Sequence, residues 1–403
     1  MSLNEFKKDS SLCSGCTLCS IVCPTKAITY KSDLNGFIYP KIDNEKCIEC
    51  SRCDKICHIN TNESQNSELL KGYAFINNSK DELLISSSGG AFISIVKAIF
   101  KKENNVSVYG AEMFYEPNVH VRHTRATTIE EARKFSGSKY IYSDIKNILS
   151  NIIEDIYDNK FIIFSGLPCQ IKAIKNYLSV KNVDSKKIMY IDLVCHGTSS
   201  KGFFDNFINM LEKKYKSKVI IFKFREKKLG WKGYPCYVKF QNGKELKNTF
   251  LLRNYPVLYL KGLLMRKSCF NCQFSSSKRI SDITLGDFWG IEKIKNNLNT
   301  KNGISMITIN SEKGLEISSL LSNFGTLIEV SIPDIINEQD NMQHGHNQPT
   351  DYDSFWKSYE KFGITYVLKK YGSLNLKGWL RYYFKKLLIQ LKVYIIYTKI
   401  RGK

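Results

Sequence analysis

The chain of 403 residues is long enough for two or three domains around a sizeable buried core. Its residues are 43% hydrophobic and 24% charged with no run of about eighteen apolar residues, which excludes a membrane-spanning protein; Met1 to Ser10 lacks the apolar centre of a secretory leader and points to the cytoplasm. The net charge of +22 is uneven, with eleven Lys or Arg and no Asp or Glu from Lys361 to Lys403, and no helix-turn-helix, zinc-finger or RNP signature turns it into base recognition, so no nucleic-acid partner is expected.

Near the N-terminus, Cys13, Cys16, Cys19, Cys23 and Pro24 fit the spacing C-x2-C-x2-C-x3-C-P, and Cys47, Cys50, Cys53 and Cys57 repeat it. Thiolates are soft, charged donors that suit iron, and two-residue gaps let three of them converge on one cubane. In paired runs the fourth ligand crosses over. Cys13, Cys16, Cys19 and Cys57 are therefore expected to hold one 4Fe-4S cluster, and Cys47, Cys50, Cys53 and Cys23 a second. Eight cysteines without ligand histidines argue against zinc. His58 stands where a proline would follow the second run, and reads either as a neutral change at the chain's exit or as a donor to a cluster sulfide. Ala27–Tyr30 and Gly36–Pro40 read as strands about a turn at Asp33–Gly36, completing a ferredoxin-like fold.

Asn60–Leu70 is polar and reads as a linker. Ser86-Ser-Ser-Gly-Gly90 precedes the apolar, periodic stretch Ala91–Phe100, so it is either a plain helix cap or a helix start whose N–H groups take a phosphate. Ser136-Gly-Ser-Lys-Tyr140 is equally a solvated turn or a pyrophosphate cradle with Lys139 as counter-charge. Then Phe161–Phe164 reads as a strand, Gln170–Leu178 as a helix, Lys187–Val194 as a strand and Phe203–Lys214 as a helix. That alternation implies parallel strands with crossovers and chemistry in the loops after the strand C-termini. Those loops hold Ser165-Gly-Leu-Pro-Cys-Gln170 and Cys195-His-Gly197; Cys269-Phe-Asn-Cys272 and Ser281-Asp-Ile-Thr-Leu-Gly-Asp-Phe-Trp-Gly290 follow. On the residues alone, Cys169 and Cys195 read as buried thiols as readily as ligands, and Cys269 with Cys272 as half a zinc ribbon. Cys236, in the strand-like Tyr234–Phe240, reads as core.

Taken in order, Ser-Ser-Gly-Gly at 87–90, Gly-Ser-Lys-Tyr at 137–140, Gly-Leu-Pro-Cys-Gln at 166–170, Cys-His-Gly at 195–197, the cysteines at 269 and 272, and Asp-Ile-Thr-Leu-Gly-Asp-Phe-Trp-Gly at 282–290 carry a resemblance. The chain resembles the family of coenzyme F420-reducing hydrogenase beta subunits and their formate dehydrogenase relatives, from Cys13 to about Gly290. The resemblance implies bound FAD and a third 4Fe-4S cluster on Cys169, Cys195, Cys269 and Cys272. It also implies flavin contacts from Ser87, Ser88, Gly89, Gly90, Ser138, Lys139 and Tyr140 and from the backbone near Gly166. Asp282 and Asp287 either orient the cluster loop or flavin, or cap turns. His196 is the candidate catalytic proton donor, with a structural role as the alternative. Similar proteins act on deazaflavin, on chlorophyll-related substrates, or on unassigned substrates of bacterial polysaccharide gene clusters.

After Gly290 the resemblance fades. Tyr366–Lys399 interleaves aromatic and aliphatic residues with Lys and Arg, a pattern that fits peripheral contact with an anionic membrane or a helix docking on protein. The expected fold class is mixed α+β and α/β, with a two-cluster ferredoxin-like domain at 1–62, a flavin-binding α/β domain in two parts at 70–150 and 151–330, and a basic helical tail at 331–403. The expected function is that of an FAD-dependent iron–sulfur oxidoreductase, fed by reduced ferredoxin or a redox partner subunit and acting on an organic substrate. The alternative is a noncatalytic electron-transfer subunit of a larger hydrogenase or dehydrogenase complex. A DNA-repair-type iron–sulfur binder would rest on charge alone.

Overall fold

The computed structural model describes residues 10–60 and 68–373, with Leu380 and Phe384. The centre of the expected linker and most of Tyr366–Lys399 lie outside the described residues.

In the N-terminal segment, β1 (Ile28–Ser32) and β2 (Ile38–Ile42) form an antiparallel hairpin in which Ile28 faces Ile42. Asp33 fixes the turn, its Oδ1 accepting from the amides of Asn35 at 3.0 Å and Phe37 at 2.8 Å. Short helices at Leu18–Ile21 and Arg52–Ile56 complete the ferredoxin-type fold, each within one of the cysteine runs. Gly36 has φ of 79°, and a Cβ there would stand 2.4 Å from the Cα of Gly202. This close backbone approach docks the hairpin onto the rest of the chain. Leu18 and Ile56 join a core with Ile171 and Ile174, while Phe37 packs edge-on against Trp356 at 5.5 Å.

The main sheet has eight strands. They are β3 (Lys71–Asn77), β4 (Val106–Phe114), β5 (His120–Ala126), β6 (Phe161–Gly166), β7 (Ile188–Leu193), β11 (Ile283–Asp287), β12 (Ser305–Ile309) and β13 (Gly325–Glu329), in spatial order 13-3-12-11-7-6-4-5. The inner neighbours β4, β6, β7 and β11 pair parallel, as the alternation of strand and helix predicted. The outer pairs are antiparallel, so the sheet is mixed. Periodicity marks a strand but not its partner, and the short connection between β4 and β5 permits only an antiparallel return. The inner strands are buried on both faces, which their runs of Ile, Met and Phe require.

A three-stranded antiparallel sheet, β8 (Val219–Lys223), β9 (Tyr237–Phe240) and β10 (Glu245–Lys247), lies against an aromatic core with Phe203, Phe204, Phe207, Tyr255, Phe355 and Trp356. Cys236 is fully buried in this core, as its strand-like setting predicted. The helix Tyr352–Lys370, kinked at Gly363, sends Tyr352, Phe355, Trp356, Tyr359, Val367 and Leu368 into the core. The described part of 331–403 is thus integral to the body rather than a tail. Among the described residues no helix is long and apolar enough to cross a membrane.

Candidate electron-transfer site

Cys13, Cys16, Cys19 and Cys57 line one small cavity, together with Cys53. Backbone amides address the sulfurs: Gly15 donates to Cys13 Sγ at 3.3 Å and Ala27 to Cys23 Sγ at 3.3 Å. Tyr30 Oη lies 2.6 Å from Cys19 Sγ. Cys47 and Cys50 are exposed, whereas Cys13, Cys16 and Cys19 are not, so the second set faces solvent and the first faces inward.

Cys169, in the first turn of the helix Pro168–Val180, Cys195, after β7, and Cys269 and Cys272, at the end of the 3-10 turn Lys267–Cys269 and beyond it, are spread over a hundred residues of chain, yet all four line a single cavity of about 130 Å³. Strand topology brings Cys169 and Cys195 together. β6 and β7 are parallel and adjacent, so the loops after Gly166 and Leu193 leave the sheet at the same edge. Burial pushes the Cys169, Cys195 and Cys269 thiols above their usual range, and the neighbouring thiols push them further. Buried thiols of this kind become thiolates together only around a positive core, and four cysteine sulfurs around one cavity are the donor set of an iron–sulfur cluster. Among the described residues no group of three or more His, Cys, Asp or Glu is gathered tightly enough for a single ion. A cubane differs in this respect, because each ligand sulfur binds a different iron and the sulfurs stand wider apart. Cys169 also lies within electrostatic reach of Cys16, linking this cavity to the first run.

A larger cavity of about 410 Å³ opens at the same sheet edge, within the size range of small-molecule sites. Ser87, Ser88, Gly90, Ser138, Lys139, Tyr140, Gly166 and His196 all line it. Gly89 does not: a Cβ there would meet Phe75 O at 2.0 Å and Ser305 N at 2.5 Å, so this glycine permits the loop to press against β3 and β12. Ser87 Oγ accepts from the Ser138 amide at 2.7 Å, and Ser88 Oγ donates to Ile304 O at 2.6 Å, so the two polar clusters brace one another. Lys139 Nζ donates to the carbonyls of Lys134, Phe135 and Ser136 at 2.9 to 3.1 Å. Its hydrogens hold its own loop, and burial lowers its pKa to about 7.

The fit of this cavity to a flavin can be tested on its walls. The start of the helix Ala91–Lys102 presents backbone N–H groups there, suited to an anionic group. Tyr140, stacked on Tyr259 at 4.7 Å, and Trp289 supply flat apolar surface. Ser136 Oγ and His196 Nε2 are buried in the lining without a partner, atoms that a polar ligand would satisfy. The residues therefore fit such a ligand.

His196 lines both cavities, as do Cys195, Gly197, Thr198 and Asn341. Asn341 Nδ2 lies 3.4 Å from Nδ1, which leaves the ring proton on Nε2. Burial, with the nearby His346, lowers its pKa to about 4 and keeps the ring neutral. Of the two aspartates, Asp287 lines the large cavity and accepts from Arg225 at 2.5 Å and Trp231 at 2.9 Å. Asp282 instead accepts from the Tyr190 amide at 2.8 Å and from Ser311 at 2.6 Å, bracing the sheet away from that cavity.

Several residues of the site carry no sequence signal. His123 donates from Nε2 to Ser165 O at 3.0 Å and accepts at Nδ1 from Ser143 at 2.8 Å, bracing the cavity floor. Arg279 donates to Asp192 at 2.7 Å and to Phe274 O and Ser276 O at 3.2 Å, tying the Cys272 loop to the strand before Cys195. Tyr234 and Tyr259 reach the cavity from separate elements.

Fold and site together define an iron–sulfur protein of the electron-transferring oxidoreductase class. Residues 12–61 match the 4Fe-4S dicluster domain, and residues 159–334 match the C-terminal domain of the coenzyme F420 hydrogenase/dehydrogenase beta subunit. Over those residues the chain is similar to the beta subunits of that family, with a region similar to a dicluster domain ahead of it. The match runs past Gly290, and residues 62–158 fall outside both matched regions. A subunit of the F(420)H(2) dehydrogenase of Methanosarcina mazei is 29% identical over 193 residues, 46% of this chain and 53% of that relative. The chain thus spans about half the length of this curated relative. A chain of the F420-reducing [NiFe] hydrogenase complex from Methanosarcina barkeri aligns with a TM-score of 0.46 at 15% identity, over 75% of this chain and 96% of that one.

Proposed function

We propose that the chain is an iron–sulfur flavoprotein oxidoreductase. Electrons pass among the two N-terminal clusters, a third 4Fe-4S cluster on Cys169, Cys195, Cys269 and Cys272, and FAD in the large cavity. The supporting observation is the shared wall: Cys195 and His196 line both the four-cysteine cavity and the large one. A flavin bound there exchanges single electrons with clusters and a hydride with an organic substrate. The remaining work belongs to the protein. The helix start at Gly90–Phe92 receives the anionic part of the ligand, with Ser136 Oγ as a further donor. Tyr140, Tyr259 and Trp289 exclude water from the flat part. His196, neutral, offers its Nε2–H as a hydrogen-bond donor to a polar group of the ligand at the wall nearest the four cysteines. Reduced ferredoxin or a partner subunit meets the exposed Cys47 and Cys50.

A second reading, a noncatalytic electron-transfer subunit, draws support from the relative whose name describes one part of a dehydrogenase. The organic substrate is a coenzyme F420-like deazaflavin or, in the reading taken from polysaccharide gene clusters, a glycan-associated compound. Anaerobic purification with iron and flavin counting, then turnover with an artificial donor, tests these proposals. The expected content is about twelve irons and one FAD per chain. Absence of flavin sinks the flavoprotein reading, and bound flavin without turnover until a partner subunit is added favours the second.

A further inference from the structure

Arg266 sits where the ferredoxin-type segment meets the rest of the chain. Only 4% exposed, it makes no ion pair among the described residues. Its Nη1 donates to Cys13 O at 3.0 Å and its Nη2 to Ile38 O at 2.9 Å. The guanidinium lies over Tyr39 at 4.6 Å and Phe37 at 5.3 Å. Gly15, with φ of 76°, makes room for it: a Cβ there would stand 2.8 Å from Nη2. The backbone of the same residue serves the other cysteine set. Arg266 N donates to Thr198 O at 3.0 Å, Cys269 N donates to Arg266 O at 3.0 Å, and Thr198 N donates to Cys269 Sγ at 3.4 Å.

A buried guanidinium without a carboxylate is costly unless another negative charge compensates it. Here the Asp33 carboxyl lies within reach of its field but makes no ion pair with it, and the remaining negative charges are the thiolates of the two ligand sets that flank it, its field acting on both Cys13 and Cys269. We propose that Arg266 is the shared counter-ion of the cluster on Cys13, Cys16, Cys19 and Cys57 and of the cluster on Cys169, Cys195, Cys269 and Cys272, a positioning residue that makes both easier to reduce. A cubane gains one negative charge when it takes one electron from a donor, so a fixed neighbouring cation favours the reduced form. The second N-terminal cluster, at exposed Cys47 and Cys50, is solvated and lies outside this effect. The part concerning Cys269 rests on the proposed third cluster; the part concerning Cys13 does not.

The test is an EPR-monitored dithionite titration of the anaerobic full chain, comparing wild type, R266K, R266Q and R266M, with iron counted in each. In R266Q and R266M the two flanking clusters should become about tenfold or more harder to reduce, a midpoint shift of ~59 mV or more for one electron, while the exposed cluster stays put. R266K, which keeps the charge, should stay near wild type. R266M retains the apolar stem against Phe37 and Tyr39 and replaces R266Q should that variant lose iron. Unchanged potentials in either neutral variant, or an equal shift of all clusters, would overturn the proposal. A wild-type count of about eight irons would remove the third cluster alone, and the shift at the Cys13 cluster would still decide the role of Arg266.

Discussion

The two groups of cysteines arrive at their sites by opposite routes. The N-terminal eight lie within 45 residues, and local turns gather them. The four at 169, 195, 269 and 272 span more than a hundred residues: parallel strands ending at one sheet edge bring Cys169 and Cys195 together, and the Ser199–Met265 bridge and the Arg279–Asp192 bond tie in the segment with Cys269 and Cys272. The first group depends on local backbone and the second on the whole fold. Their settings differ as well: Cys47 and Cys50 are open to solvent, whereas the dispersed four lie behind the large cavity. On the proposed reading, this contrast orders the centres from surface to interior.

Removing ligands is the strongest way to break the contrast. C47S/C50S should lose about four irons and slow reduction by an external protein donor at least tenfold, with flavin content unchanged. C269S/C272S should also lose about four irons while keeping the two ferredoxin-type EPR signals. Unchanged iron in the second variant would return those cysteines to the status of ordinary thiols.

Next in size is the buried pair that supports only the dispersed group. Arg279 and Asp192 are 2% and 0% exposed, and R279M leaves the carboxylate buried and unpaired. Denaturant unfolding should show a loss of about 3–5 kcal/mol. The N-terminal clusters should remain loaded in the folded fraction; their loss alongside the dispersed site would show that the two groups are not independently held.

A smaller effect concerns pH. His123 is 1% exposed, and burial lowers its pKa from 6.5 to about 4. Below the unfolded value the unfolded chain binds a proton that the folded chain refuses. Stability therefore falls as pH drops from about 6.5 towards about 4, by up to ~3 kcal/mol, and is flat above that window. H123Q should remove this part of the slope, measured as the wild-type minus variant difference. The smallest effect is expected at His58, whose ring lines both the Cys13 and Cys169 cavities and leaves Nδ1 buried without a partner. H58P should lower a cluster potential by less than ~59 mV, and an unmoved potential would make it a simple exit residue.

The sequence revealed what was local. Cysteine spacing announced the dicluster segment, and strand–helix alternation from Phe161 to Lys214 announced β6, β7 and their helices. The dispersed cysteines were legible only through the family resemblance, because no local pattern says which loops leave a sheet at the same edge. Arg266, Arg279, His123 and Tyr259 were illegible for the same reason, since each has a partner 42 to 253 residues away. Gly89 was misread as a ligand contact because a glycine at a helix start signals close backbone approach without saying to what.

The central claim is that electrons entering at the N-terminal clusters reach the large cavity through the dispersed cysteines. Rapid mixing of reduced ferredoxin with flavin-loaded wild type and C269S/C272S, followed at the flavin absorbance, tests it directly. The account predicts bleaching in wild type and at least a hundredfold slower bleaching in the variant with its N-terminal clusters intact. Equal rates in the two proteins would contradict it.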